Sequence, residues 1–170
     1  NDGQLIAGQG TIAYEVFQQA KETYQDDLDN ATWLVPTSGG GLLAGIARVV
    51  REVAPNSRII GVQSETSPFM HALFYHGSQA GIQERPTIAD GLAGPVEEGS
   101  ITIPLIRHYV DDIVLVTETD TVNALADAWK QYEQVIEGAA AVVLAAILKH
   151  KIQQGPRVAV ISGGNIQPTL

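Results

Sequence analysis

Two kinds of apolar segment alternate along this chain, and their spacing predicts its secondary structure. Short, unbroken runs rich in Val, Ile and Leu, typical of buried parallel strands, occur at residues 31–37, 57–63, 111–117 and 157–162. Longer segments with apolar residues three and four positions apart, as in amphipathic helices, occur at residues 10–24, 41–54, 67–77, 103–110, 120–135 and 138–152. Strands separated by helices predict an α/β fold, an open and mostly parallel sheet with helices on both faces.

The composition narrows the class of protein. The 170 residues, of which 45% are hydrophobic, are enough for one globular domain. A net charge of -9 disfavours nucleic acid and membrane surfaces as partners. The absence of cysteine excludes disulfides and cysteine nucleophiles. The longest apolar run, Ala139–Leu148, is too short to span a bilayer, and residues 1–5 lack the features of a signal peptide, so we expect a cytoplasmic protein.

Glycine-rich turns follow two of the predicted strands. Residues 37–41 read Thr-Ser-Gly-Gly-Gly and lead directly into a helix, and residues 162–165 read Ser-Gly-Gly-Asn. Ligands of open α/β sheets bind beyond the carboxyl ends of the strands, and exposed N–H groups at a helix start attract anions. Glycines also make ordinary strand-to-helix turns. Three consecutive glycines together with a second glycine turn favour a ligand site.

The glycine turn alone leaves the ligand open. A Walker-type phosphate loop requires Lys and Ser/Thr where Leu42 and Leu43 stand, which excludes that motif. A dinucleotide fingerprint fits better, since Gly39, Gly41 and Ala44 match G-x-G-x-x-A. That site requires an acidic residue at the end of the next strand, where this chain has Gln63, with Glu65 two positions further. A nucleotide-binding Rossmann-like module therefore remains an alternative.

Seven motifs in order give the chain a more specific signature. They are residues 6–15 (IAGQGTIAYE), 35–47 (VPTSGGGLLAGIA), 59–65 (IIGVQSE), 87–93 (TIADGLA), 110–118 (VDDIVLVTE), 136–141 (IEGAAA) and 160–165 (VISGGN). Together they resemble the C-terminal half of the catalytic region of fold type II pyridoxal-phosphate enzymes, in the branch of threonine/serine dehydratases and serine racemases. The resemblance implies a tryptophan synthase beta-like fold, of which this chain is the C-terminal part of the large domain.

The resemblance also implies an activity. Enzymes of this branch use pyridoxal 5'-phosphate to eliminate water from L-threonine or L-serine, giving a 2-oxo acid and ammonia. Serine racemisation is the alternative outcome, and a catalytically inactive half is another. The amino-acid substrate is the small-molecule partner in each active case.

Site residues follow from the resemblance position by position. Backbone N–H groups surround the cofactor phosphate at Ser38, Gly39, Gly40, Gly41 and Leu42. Ser162 meets the pyridine nitrogen, Gly91 lines the ring and Glu137 lies near it. Without the resemblance, a serine before Gly-Gly would be read as a helix cap, and Glu137 as the first-turn acid of the following helix.

The same resemblance implies that the lysine that carries the cofactor lies in an N-terminal half that this sequence lacks. No catalytic residue is therefore assigned, and the chain alone is expected to be inactive. Its own lysines are predicted on solvated helical or terminal segments, at Lys21, Lys130, Lys149 and Lys151. The missing half is the expected protein partner. Exposed apolar sheet edges also favour a homo-oligomer.

No metal site is predicted. Some relatives bind a divalent cation after the second strand, but the corresponding positions here are Gln63 and Phe69, with Ser67 between them. A neutral amide and an apolar ring are poor ligands for such a cation. The histidines are too scattered to form a metal site and are expected to be structural or surface residues, namely His71, His76, His108 and His150.

Overall fold

Four parallel strands form one sheet in the computed structural model, which describes residues 2–26, 28–150, 155–164 and 166. The strands are β1 (Thr32–Pro36), β2 (Arg58–Ser64), β3 (Asp112–Val116) and β4 (Arg157–Ala159). Their spatial order is β3-β2-β1-β4, and Leu34 of β1 lies between Ile60 of β2 and Ala159 of β4. The predicted parallel α/β sheet is confirmed. Parallel strands end at the same edge, so the segments after β1, β2 and β4 meet there.

Six α-helices cover the two faces of this sheet. They are α1 (Gly3–Gln19), α2 (Gly41–Val53), α3 (Phe69–His76), α4 (Thr102–Tyr109), α5 (Glu118–Tyr132) and α6 (Gly138–His150). Among the described residues, no helix is long and apolar enough to cross a membrane.

The sheet divides the hydrophobic core in two. On one face Trp33 and Val35 of β1 pack with residues of α1, α2, α3 and α4. On the other face Leu34 of β1 packs with residues of α5 and α6. Helix α6 contacts β1, β2 and β3, which explains why its sequence is apolar nearly all round. The strands read as continuous apolar runs because both of their faces are covered.

Several element boundaries differ from the prediction, most of all at the start of α1. Helix α1 begins at Gly3 rather than residue 10 because the Asp2 carboxylate caps it, accepting the Gln4 N–H at 2.8 Å. It continues as one π-helical turn, Ala20–Tyr24. Strand β4 ends at Ala159, three residues earlier than predicted. Residues 151 and 152 of the last predicted helix, and Asn165 of the second glycine turn, lie outside the described residues.

Helices α1 and α2 touch through glycine. A Cβ atom added at Gly45 of α2 would overlap the Ile6 carbonyl oxygen and lie 2.9 Å from the Gly10 nitrogen. The close approach of the two backbones fixes α2, whose first turn follows the glycine loop, against α1. Any side chain at Gly45 must push the helices apart.

We therefore expect Gly45→Ala to lower the free energy of unfolding by about 1–3 kcal/mol. Gly8→Ala is the control. Gly8 belongs to α1, one of the two helices in contact, and a Cβ there meets no atom within 4 Å. Alanine at this helical position raises stability by about 0.5–1 kcal/mol. Urea unfolding followed by circular dichroism measures both. Equal stability of the Gly45→Ala variant and the wild type would contradict the close helix contact.

Candidate functional site

The glycine loop of residues 38–41 joins the end of β1 to the start of α2. Gly40 has a φ of +86° and is the N-cap of α2, and the helix begins at Gly41. The first intrahelical bond runs from the Ala44 N–H to the Gly40 carbonyl at 2.9 Å. The N–H groups of Gly41, Leu42 and Leu43 consequently have no partner within the helix. They form the positive end of the helix dipole.

The three glycines of this loop differ in what surrounds them. A Cβ at Gly40 would overlap Ile106 of α4 and lie 2.9 Å from the Met70 methyl group of α3. A Cβ at Gly39 or Gly41 would meet no atom within 4 Å. The back of the loop is thus packed against protein, and its other two glycines border open space. Ligand atoms can approach the backbone there.

A threonine that the sequence analysis did not single out holds the loop from behind. The Thr102 hydroxyl, at the start of α4, donates to the Gly39 carbonyl at 2.7 Å and is itself buried. Its oxygen lies 2.8 Å from the Ser100 hydroxyl. This contact directs the Gly39 carbonyl toward α4. The contact spans 63 positions of sequence, and no local pattern indicates it.

Ser38 fits the loop without strain. Among the described residues, the non-glycine positions with positive φ are Gln25, Leu28 and Glu133, so Ser38 is not in the left-handed region. The serine side chain is therefore compatible with the backbone of the loop at this position. Ser38 is partly exposed.

Three other segments face the glycine loop. Gly91 belongs to a short 3₁₀ helix, Asp90–Leu92, and a Cβ at Gly91 would lie 3.2 Å from the Ala139 Cβ of α6. Glu137 directly precedes α6, and its N–H donates to the Gly163 carbonyl at 3.2 Å. The Glu137 carboxylate occupies the space where a Gly163 side chain would stand. The contacts of Gly91 with α6 and of Gly163 with Glu137 therefore require small residues.

These segments enclose one cavity of about 280 Å³. It brings together all eight cofactor-binding residues predicted from the sequence, namely Ser38, Gly39, Gly40, Gly41, Leu42, Gly91, Glu137 and Ser162. Its lining is completed by residues that the prediction missed, Pro36, Leu92 and Ala139. Each of the missed residues lies within two positions of a predicted one, so the motifs themselves contained the signal.

The sequence also allows Glu137 and Ser162 to be explained as residues at helix ends. The structure places Glu137 at a helix end but not Ser162. The Glu137 carbonyl accepts from the Ala140 and Ala141 N–H groups, so this residue is the N-cap of α6 rather than an acid of its first turn. Glu137 thus lies at the end of a helix and also lines the cavity. Ser162 is exposed, and described residues 160–164 contain no helix for it to cap.

A second cavity of about 340 Å³ lies beside the same loop and shares Gly39, Gly41 and Leu42. Asp2 and Glu97 contribute to its lining. Two carboxylates oppose a bound anion, whereas the first cavity has only Glu137. The first cavity is therefore the less repulsive of the two for an anionic group.

The end of β2 does not suit a nucleotide ribose. The Gln63 side chain is fully buried, and its Oε1 accepts the His71 N–H at 3.0 Å. Glu65 is exposed and its nearest cation, Arg85, lies 4.0 Å away. Gln63 thus faces α3, and the position where a dinucleotide site requires an acidic residue holds a neutral, buried amide.

The positions that bind a divalent cation in some relatives make other contacts in this chain. Phe69 is 7% exposed and belongs to the core, and the Ser67 hydroxyl donates to Glu84 at 2.9 Å. Among the described residues, no three His, Asp or Glu side chains cluster in a way that could hold a metal ion. Burial lowers the pKa of His71, with a smaller contribution from His76.

The lysines lie away from the cavity wherever the structure describes them. Lys21 and Lys130 are exposed. Lys149 forms an ion pair with Asp120 at 3.0 Å. Lys151 lies outside the described residues. The described part of the chain therefore contributes a cofactor-sized cavity without an amine among its lining residues.

The class of protein follows from comparison with known families. Residues 1–164 match the family of pyridoxal-phosphate dependent enzymes, and the chain belongs to this family. The cofactor of the family is pyridoxal phosphate. The resemblance predicted from the seven motifs is confirmed.

Individual relatives narrow the branch. The chain is 39% identical over 171 residues to the L-threonine ammonia-lyase of Thermotoga maritima, in a match covering 100% of this chain and 41% of that enzyme. It matches the solved structure of the T.th. threonine deaminase with a TM-score of 0.86 and 31% identity, covering 100% of this chain and 60% of that one. Maize serine racemase gives a TM-score of 0.83 and 28% identity over 99% of this chain and 51% of that one. The chain thus spans only part of each relative's length.

The different surroundings of the loop glycines predict different effects of alanine. Gly40→Ala combines a positive φ with overlap against α4 and α3, and we expect it to lower the free energy of unfolding by about 1–3 kcal/mol. Gly41→Ala is the matched control and should change stability by less than about 0.5 kcal/mol. Denaturant unfolding measures both. A Gly40→Ala variant as stable as the Gly41→Ala variant would contradict the loop geometry.

Proposed function

We propose that the cavity between the glycine loop, Gly91 and Ser162 binds pyridoxal 5'-phosphate. The single observation that carries the proposal is the meeting of all eight predicted residues in one cavity, although they come from four separate segments. Membership of a pyridoxal-phosphate dependent family supports the same ligand. The open space at Gly39 and Gly41 fits a group bound to backbone atoms.

The phosphate would be held by the glycine loop. The N–H groups of Gly41, Leu42 and Leu43 are available as donors at the start of α2, where the helix dipole is positive. The Ser38 hydroxyl adds a donor at the other end of the loop. Local dipoles must supply this attraction because the chain as a whole carries a charge of -9.

The ring would lie between Gly91 and Ser162, with the Ser162 hydroxyl at the pyridine nitrogen. When bound, pyridoxal phosphate withdraws electrons from the α-carbon of an amino acid. A neutral hydroxyl does not keep the ring nitrogen protonated as a carboxylate would. This environment suits β-elimination, in which the leaving hydroxyl removes the charge. The Glu137 carboxylate, held against Gly163, lies in the same cavity.

For the whole protein we propose dehydration of L-threonine or L-serine to a 2-oxo acid and ammonia. The L-threonine ammonia-lyase and threonine deaminase named above support this reaction. In this proposal the lysine that carries the cofactor and the loop that grips the substrate carboxylate come from the remaining part of the protein. That part is the partner of this chain, which alone does not turn over substrate. A cytoplasmic homo-oligomer completes the proposal.

Racemisation of serine is the second candidate activity. The match to maize serine racemase favours it, although at a lower identity than the match to the L-threonine ammonia-lyase. Both activities begin with removal of the α-proton and use the same cavity. The buried Gln63 argues against a nucleotide as ligand.

The activity is tested with the whole protein and its Ser162→Ala variant. We expect 2-oxobutyrate from L-threonine with the wild type, and a kcat about tenfold lower in the variant, the value of one lost hydrogen bond. Ser78→Ala is the matched control because Ser78 lies outside the cavity. Chiral analysis of the L-serine reaction distinguishes dehydration from racemisation. Binding of an adenine dinucleotide instead of pyridoxal phosphate would overturn the proposal.

The phosphate loop has a separate test. Gly41→Ala should leave the apoprotein as stable as the wild type, while its methyl group enters the space reserved for the phosphate. We expect the affinity for pyridoxal phosphate to fall about tenfold or more in a spectroscopic titration, since a methyl group cannot be accommodated beside bound oxygen atoms. Gly8→Ala, remote from the cavity, is the control. An unchanged affinity of the Gly41→Ala variant would contradict phosphate binding at this loop.

A further inference from the structure

The wall of the cavity formed by Gly91 and Leu92 belongs to a long irregular segment. Among residues 78–100 the only helical turn is Asp90–Leu92. The Arg85 N–H donates to the carbonyl of Thr66, two residues after the end of β2, at 2.9 Å. The Gly94 N–H donates to the nearby Ser67 hydroxyl at 3.1 Å. A segment with so little regular structure needs further contacts to keep Gly91 in a fixed position.

Glu118, the first residue of α5, supplies such contacts. One of its carboxylate oxygens accepts from the Thr87 hydroxyl at 2.6 Å, and the other from the Ile88 N–H at 2.8 Å. The first oxygen also accepts from the Ser64 hydroxyl, at the end of β2, at 3.0 Å. The Thr66 hydroxyl, at 3.4 Å, is a longer partner. One carboxylate thereby ties the segment to the carboxyl ends of the strands.

The ionised form of Glu118 is the one these contacts favour. Burial acts to raise its pKa, but hydrogen bonds from Thr87, Ile88, Ser64 and Thr66 outweigh burial, and the net pKa is lowered. Charge-assisted hydrogen bonds are about twice as strong as neutral ones. Glu118 therefore acts as a charged anchor at neutral pH.

Helix α6 limits the segment from the other side. A Cβ at Gly138 would overlap the Ile88 carbonyl oxygen, so the backbone of α6 touches the backbone of the segment. Ala89 is fully buried between these elements. The Glu118 carboxylate binds the segment through hydrogen bonds at Thr87 and Ile88. The backbone of Gly138 contacts the other side of the segment at Ile88. Three residues further along, Gly91 faces the cavity.

We propose that Glu118 is a positioning residue for the cofactor cavity, fixing the Gly91 wall through Thr87 and Ile88. This inference rests on the proposed function, because it assigns the wall to the cofactor ring. Glu118 itself does not line the cavity. Its substitution changes the position of Gly91 rather than removing a group that touches the ligand.

A purely structural role for Glu118 predicts something different. Acidic residues in the first turn stabilise a helix, and Glu118 and Asp120 are both in the first turn of α5. Asp120 forms a capping box with Thr117 and pairs with Lys149, and both of these partners lie outside residues 78–100. Asp120→Asn is accordingly a matched control that weakens the helix start and spares the cavity wall.

The decisive experiment compares Glu118→Gln and Asp120→Asn in the whole protein. Amide hydrogen exchange without cofactor should be about tenfold faster or more at Ile88 and Ala89 in Glu118→Gln, because an amide cannot accept at both atoms. Titration should show the affinity for pyridoxal phosphate reduced by about tenfold. Asp120→Asn should lower the thermal midpoint without either effect. Thr87→Val should mimic Glu118→Gln, and Thr87→Ser should restore binding.

Two failures are distinguishable. If the wild type binds pyridoxal phosphate and Glu118→Gln binds it equally well, the inference is wrong and the proposed function stands. Equal effects of Glu118→Gln and Asp120→Asn on exchange and affinity would also overturn it. If the wild type does not bind pyridoxal phosphate, the proposed function fails and the inference falls with it.

Discussion

The turn from β1 into α2 is the constraint on which the site depends. Residues 39–41 must reverse direction while their N–H groups stay accessible, and Gly40 achieves this with a φ of +86°. Behind the turn there is no room for a side chain at Gly40, because Ile106 and Met70 fill the space. Thr102 adds a bond to the Gly39 carbonyl. The packing of α3 and α4 therefore decides which face of the loop is open.

In the proposed function, this arrangement reconciles an acidic chain with an anionic ligand. The overall charge of -9 opposes phosphate at long range, but salt screens that field within about 8–10 Å. Close to the start of α2, N–H groups without an intrahelical partner lie at the positive end of the helix dipole and attract an anion at short range. The carboxylate in the same cavity, Glu137, lies over Gly163, on the segment that follows β4. Attraction for an anion is thus confined to one end of the cavity.

Sequence reasoning succeeded where information is local. Continuous apolar runs identified four strands because both sheet faces are covered, and the seven motifs contained all eight of the predicted residues that line the cavity. It failed where distant residues meet. The Thr102 bond to Gly39 spans 63 positions, and the Glu118 bond to Thr87 spans 31. Such contacts depend on strand order and helix packing, which apolar periodicity does not encode. The start of α1 was missed because the buried positions of its first turns are Ile6 and Gly10, and glycine adds nothing to an apolar pattern.

The three walls of the cavity are each fixed by groups that this chain provides. Thr102 supports the glycine loop, Glu118 and Gly138 bracket the segment of Gly91, and the Glu137 N–H bonds to Gly163 beside Ser162. None of these contacts involves a lysine. In the proposed function, the geometry that holds the phosphate and ring is therefore set independently of the group that performs proton transfer. A cavity already formed in this chain would then lower the conformational cost of binding, since only the remaining groups must be brought to it.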